Sequence, residues 1–377
     1  MRFFCLIVGF WLVVALGACS PIPAEARLSV EVVDARSMPV TDGFGNVHEQ
    51  MLFVSLSIRG RVLEVVLEPS EVMANASVVM FADAFTDAVA PVHYQGQVLG
   101  VADSWVRLSW FRGRPEGVLR VGQQLYLIEY DDAEDRLLAS DLATDSREVF
   151  DEILQQHLVN NSPVGGVKVL PISIVVDTLY NEAHQARGLD RALSIVNSVD
   201  GLYQEQVGLR LELRVARLMV DADKDPMRPL TGNIDQLLEV FRSYRLGDVA
   251  LVRGQGAVHL FSGAELSDKR VGLAYIDTIC RTDGYDVGVS RIVDRDVFTF
   301  AHELAHNIGA EHDLDTQCGD HGRMMNATLR SEMQYAFSSC SVKSLRQGMG
   351  RSCVLDQPTM QFASAGLEEE GQVVAEE

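Results

Sequence analysis

Hydrophobic and polar positions divide the chain into stretches of different period. Residues 3–16 are almost uninterruptedly apolar behind Arg2, too few to span a bilayer comfortably, and small residues follow. That pattern predicts an export signal over residues 1–18. From residue 27 to about 130, short alternating runs such as Leu52-Phe53-Val54-Ser55-Leu56-Ser57-Ile58 are broken by Gly and Asp, which predicts strands and a mainly β domain over residues 19–154. Residues 155–167, with Asn160-Asn161-Ser162-Pro163 and a Gly pair, have loop composition and read as a linker.

Beyond the linker the period changes. Val169-Leu170-Pro171-Ile172-Ser173-Ile174-Val175-Val176 is a continuous apolar run that fits a buried central strand. Leu189, Leu193, Val196, Val199, Leu202 and Tyr203 recur at helical spacing up to Gly208, a plausible stop, and residues 209–215 alternate as a strand. Asn233 is placed to cap a helix carrying Ile234, Leu237, Leu238 and Phe241, and residues 248–252 read as a third strand. The β-α-β-α-β order predicts an α/β domain over residues 168–355, its sheet mixed but mostly parallel with helices on its faces. A last helix is expected to start near Asp294 or Asp296 as caps and to end at Gly309, with Val297, Ala301, Leu304 and Ile308 packing inward.

The opposite side of that helix carries the chemistry. His302 and His306 are four residues apart and share a face, with Glu303 beside them. Zinc binds His nitrogen at about 2.0–2.1 Å and, in catalytic sites, keeps one of its positions for water. Gly309 tolerates a conformation that lets the chain turn, so His312 can return as a third ligand. Three imidazoles around one ion, with a carboxylate poised to take a proton from water, make a hydrolytic site. His259, alone in an apolar run, reads as a structural residue instead.

Composition narrows the partners. The 377 residues, 47% hydrophobic and 23% charged, suffice for two domains with sizeable cores. A formal net charge of −21 argues against nucleic acid or an anionic lipid surface, because phosphate binding needs a basic face. Residues 356–377, with Glu368-Glu369-Glu370 and Glu376-Glu377, read as an acidic disordered tail. Six cysteines include Cys5 in the signal and Cys19 just after it. Cys280, Cys318, Cys340 and Cys353 remain, an even number in an exported chain, and predict two disulfides for which the sequence alone permits three pairings. A calcium ion is compatible with the sequence but not indicated by it, and a monomer is assumed.

The stretch FAHELAHNIGAEHD, residues 300–313, contains H-E-x-x-H-x-x-G-x-x-H, and so resembles the metzincin zinc metallopeptidases; Asp313 after it matches their reprolysin (adamalysin) branch. The resemblance implies a zincin-like fold, a single catalytic Zn2+ on His302, His306 and His312, and Glu303 as catalytic base. It further implies that Asp313 and Met325, in Gly322-Arg323-Met324-Met325-Asn326, support the site from below. Gly272, Leu273 and Ala274 would form the edge strand that pairs with an extended protein or peptide substrate. By the same resemblance the cysteines pair as Cys280–Cys353 and Cys318–Cys340. Where relatives have a cysteine before the methionine and a proline after it, this chain has Arg323 and no proline.

Two weaker resemblances complete the reading. His93-Tyr94-Gln95-Gly96, residues 103–109 and residues 124–129 look like the propeptide that precedes reprolysin domains, implying a β prodomain that assists folding and covers the cleft. No cysteine lies between Ser20 and Ile279, so a thiolate on zinc is excluded, and cover would be steric or use a carboxylate or His93. Leu16-Gly17-Ala18-Cys19 resembles a lipobox, implying acylation of Cys19, a membrane anchor and an outer-membrane location, with simple secretion as the alternative. The competing functional reading is an inactive zinc-binding envelope lipoprotein that holds peptides or a protein partner. The intact Glu303 argues for the peptidase.

Overall fold

The computed structural model describes residues 27–41, 47–74, 76–81, 84–86, 92–111, 113–131, 136–142, 167–252, 254–319, 322–328 and 335–357. The expected export signal, Cys19, the linker up to residue 166 and the tail from residue 358 lie outside the described residues.

The N-terminal half is β, as its alternation predicts. Strands β1 (Arg27–Thr41), β2 (Val47–Ile58) and β3 (Arg61–Pro69) precede β4 (Ser77–Phe81) and β5 (Ala84–Thr86). They are followed by β6 (His93–Val98), β7 (Ser104–Phe111), β8 (Arg114–Val121), β9 (Gln124–Asp131) and β10 (Arg136–Leu142). Eight of these close into an antiparallel barrel in the order β1-β10-β9-β8-β7-β6-β3-β2. Its interior is filled by every second side chain, Val54, Leu56 and Ile58 on β2 and Leu63, Val65 and Leu67 on β3 among them.

The second half comprises β11 (Val167–Val176), α1 (Thr178–Ala183), α2 (Gly188–Val207), β12 (Leu209–Met219), α3 (Ile234–Gly247), α4 (Val249–Val252), β13 (Ala257–Ser262), β14 (Gly272–Ala274), β15 (Val287–Arg291), α5 (Asp296–Ile308), α6 (Ser339–Gly348) and β16 (Leu355–Gln357). Its sheet runs β14-β15-β13-β11-β12-β4-β5, with β16 on β11. The β11–β12, β11–β13, β13–β15 and β12–β4 pairs are parallel, and the β14, β5 and β16 pairings are antiparallel. Strands β4 and β5 come from the N-terminal half, so one sheet draws on both.

Alternation on the central strands separates two cores. Leu170, Ile172, Ile174 and Val176 face α2 and α5, whereas Val175, with Val258 and Leu260 of β13, faces α3. Gly208 ends α2 in the left-handed region (φ 79°), and Asn233 caps α3 through a reciprocal box with Gln236.

Three local expectations are corrected. Residues 249–252 form the short helix α4, not a strand: Asp248 Oδ1 accepts from Ala250 N at 2.9 Å, which starts a helical turn, and only Leu251 of the four is buried. The third parallel strand is β13. Neither Asp294 nor Asp296 caps α5. Its N-cap is Arg295 with φ 66°, and Asp296 is instead held by Arg191 and by the Tyr180 hydroxyl. Asp356 and Gln357, placed in the tail by composition, pair with Lys168 and Val167 in β16.

Candidate metal centre

Helix α5 is buried along its whole length and packs against β13, β14 and β15 on one side and α2 on the other. Its C-terminal carbonyls, which no later turn can satisfy, accept from a crossing segment: Asp277 N bonds His306 O at 2.9 Å, and Thr278 N and Ile279 N bond Asn307 O. The Asn307 side chain donates to the Tyr275 and Val287 carbonyls, each at 3.0 Å, tying the same turn to β15. The helix then stops at Gly309 (φ 134°), where the chain reverses toward His312.

That reversal brings His302, His306 and His312 together, with one nitrogen of each within 4.8 Å of the others. His302 Nδ1 lies 2.7 Å from the Met324 carbonyl, and His306 Nδ1 lies 2.7 Å from the Ala310 carbonyl. A carbonyl only accepts, so each Nδ1 carries the proton and each Nε2 presents a lone pair. The two backbone acceptors thus set the tautomer that a metal requires. Burial, and then repulsion from the neighbouring imidazoles, lowers His302 to about 3; burial lowers His306 to about 4, so both rings are neutral at physiological pH.

His306 Nε2 and His312 Nε2 are 3.2 Å apart. With the His306 nitrogen a lone-pair acceptor, this separation admits a bond only if His312 carries its proton on Nε2. It is close to the roughly 3.3 Å that separates two nitrogens bound tetrahedrally to one zinc at about 2.05 Å. The donor set therefore fits a zinc ion. His302 and His306 are 8% and 5% exposed, whereas the His312 side chain is 33% exposed, so the group opens to solvent on the His312 side.

Glu303 is buried beside them, and desolvation raises its carboxyl to about 8. Its neighbour is Gly272 on β14: a Cβ there would fall 2.3 Å from Glu303 Oε1. The glycine is what lets the carboxylate and the strand share the space. Gly272, Leu273 and Ala274 form β14, which among the described residues is the outermost strand of the sheet and is paired only on its β15 side.

Below the histidines, Asp313 accepts from Ser338 Oγ and Ser341 Oγ at the start of α6, and its amide donates to the Met325 carbonyl at 2.9 Å. Met324 and Met325 are both buried in the core that holds α5. Disulfides join Cys280 to Cys353 and Cys318 to Cys340. The first fastens the connection from β14 to β15 next to residues 277–279, and the second fastens the turn after Asp313.

His93 is not brought to this group. It is buried in the barrel with Nδ1 2.8 Å from Ser109 Oγ, so its suggested role as a latency ligand is withdrawn. His259 is packed edge-on to Phe300 with Nε2 on Ser290 Oγ, a structural residue as expected. Sequence reasoning missed the carbonyls of Met324 and Ala310, the Asn307 clamp and the Arg191–Asp296 pair. Only Asn307, a polar residue on the inward stripe of α5, carried a signal.

Comparison with known proteins agrees with this geometry. The family model described as reprolysin (M12B) family zinc metalloprotease matches residues 168–358. Two zinc metalloproteinase-disintegrin-like proteins of Gloydius brevicauda, brevilysin H2a and brevilysin H2b, are each 27% identical over 176 residues, 44% of this chain and 40% of theirs. The chain thus spans well under half the length of these relatives.

Proposed function

Because the chain belongs to the reprolysin family of zinc metalloproteases, we propose that it is a zinc-dependent endopeptidase acting on extended stretches of protein, with Glu303 as its general base. The observation that carries this reading is the convergence of three imidazoles, two of them locked as Nε2 donors, on one point beside a desolvated carboxyl.

His302, His306 and His312 would hold the ion. Bound zinc would supply a Lewis acid and a water of pKa about 7. The rest falls to the chain's own groups. Glu303, raised by burial, would be drawn back toward ionisation by a bound cation, and would then accept a proton from water and return it to the departing amine nitrogen. A peptide laid along β14 would find backbone donors and acceptors on its open side and be oriented whatever most of its side chains are. Asp313, through Ser338 and Ser341, would keep the His312 turn in register with the Met324–Met325 turn.

We read Cys19 as a lipid-bearing residue that tethers the exported chain to the outer membrane; this rests on the sequence alone. The test of the proposed activity is digestion of a mixed peptide library by the full chain. Endoproteolytic products are expected that vanish with chelator, return with zinc, and are not formed by Glu303→Gln. Cleavage that persists in thoroughly chelated protein, or in metal-replete Glu303→Gln, would refute it.

A further inference from the structure

Helix α2 has an apolar stripe toward the sheet, and its other stripe, Ser194, Asn197, Ser198, Asp200 and Gly201, is small or polar. On an ordinary surface helix that stripe would face water. Here all five residues are buried. What covers them is the barrel.

The joint is specific. Arg107 on β7 reaches Asp200 with Nη2 at 2.9 Å and Gln204 Oε1 at 2.6 Å; the Asp200 side chain is wholly buried and the arginine nearly so. The other Asp200 oxygen accepts from Leu211 N, so the carboxylate also links α2 to β12. Asn197 Nδ2 donates to the Tyr94 and Leu108 carbonyls. Gly201 lies under the Trp105 ring, where an added Cβ would sit 2.7 Å from Cζ3. Arg191 ties Glu129 of β9 to Asp296 of α5.

Two further ties are apolar and backbone. Val118, Leu125 and Leu127 of the barrel belong to the same buried cluster as α2 and α5. Strand β4 adds to β12 from Ser77–Val215 to Phe81–Met219, so taking the N-terminal half away would leave β12 an open edge. These contacts fall on α2, β12 and the first turn of α5. The proposed substrate strand β14 lies at the opposite end of the sheet from β4 and β5.

We propose that the barrel is a permanent half of the mature protein, seated on the back of α2 and away from the cleft, so that cutting the chain between the halves neither releases the barrel nor switches on the site. The part of this that concerns switching rests on the peptidase reading; the part that concerns the joint does not.

The experiment inserts a recognition sequence for a site-specific protease between Asn160 and Asn161 of the full chain. The chain is cut without denaturant, and both fragment elution and peptide cleavage are compared with the uncut chain. The two fragments are expected to elute as one species and the cleavage rate to be unchanged. Separation of the fragments in native buffer, or a rate that rises on cutting, would overturn the proposal. A chain inactive both before and after the cut would count against the peptidase reading, and elution would still decide the joint. Gly201→Val in the cut chain is expected to lower the urea concentration at which the fragments part. No change there would overturn the assignment of α2 as the seat.

Discussion

Glu303→Gln in metal-free protein gives the sharpest stability prediction. The carboxyl titrates near 4.5 when solvated and near 8 when buried in the folded chain. Below pH 4.5 both states hold the proton, and the parent and the variant should be equally stable apart from a constant offset. Between 4.5 and 8 the unfolded parent sheds its proton while the folded parent keeps it, so the parent loses stability as pH rises. Above 8 the loss is complete. At about 1.4 kcal/mol per pH unit, this interval bounds the loss at roughly 5 kcal/mol. The amide of Gln carries no such penalty. Urea unfolding of both chains in chelator, from pH 4 to pH 9, should show the variant gaining on the parent across this window and then holding a constant lead. Other buried groups with shifted titration, such as His259 and Asp286, occur in both chains and cancel in the difference. Zinc should narrow the gap at pH 8, because a cation favours the carboxylate. A difference that does not vary with pH would show that Glu303 is solvated and refute the desolvated base.

Further outcomes can be checked with single or paired substitutions. Gly272→Ala sets a methyl against Glu303 Oε1 and should lower turnover on the order of 100-fold, as misplacement of a reacting group by about 1 Å does, with zinc content unchanged. Arg107→Met strands the buried Asp200 charge and should cost about 3–5 kcal/mol in urea unfolding, much of it recovered when Asp200→Asn is added. Replacing both Cys280 and Cys353 by Ser frees a loop with a sequence separation of 73 and should cost about 4 kcal/mol. The Cys318–Cys340 pair, separated by 22, should cost about 1 kcal/mol less by the same chain-entropy argument in the same assay.

Much of the C-terminal half is legible because its determinants are local. Helical spacing puts His302 and His306 on one face, glycine permits the turn at residue 309, and an unbroken apolar run marks β11 as a central strand. What escapes is set by tertiary context. Residues 249–252 look like a strand by their apolar content, yet Asp248 caps them as a helical turn and β13 takes the expected place. Asp296 has the chemistry of a cap but is claimed by Arg191, a partner more than a hundred residues away in sequence. The acceptors for His302 and His306 are main-chain carbonyls, which no residue type announces. The burial of the polar stripe of α2 is not legible either, because nothing in its own sequence tells that a barrel covers it. Likewise, residues 77–86 lie inside the stretch read as one β domain, and only the fold assigns β4 and β5 to the second sheet.

The measurement that bears most directly on the account is the metal content of the full chain after removal of adventitious ions and exposure to limiting zinc. One zinc per chain is predicted, retained in Glu303→Gln and lost in His312→Ala. A parent chain that holds no zinc, or a His312→Ala chain that holds as much as the parent, would contradict it.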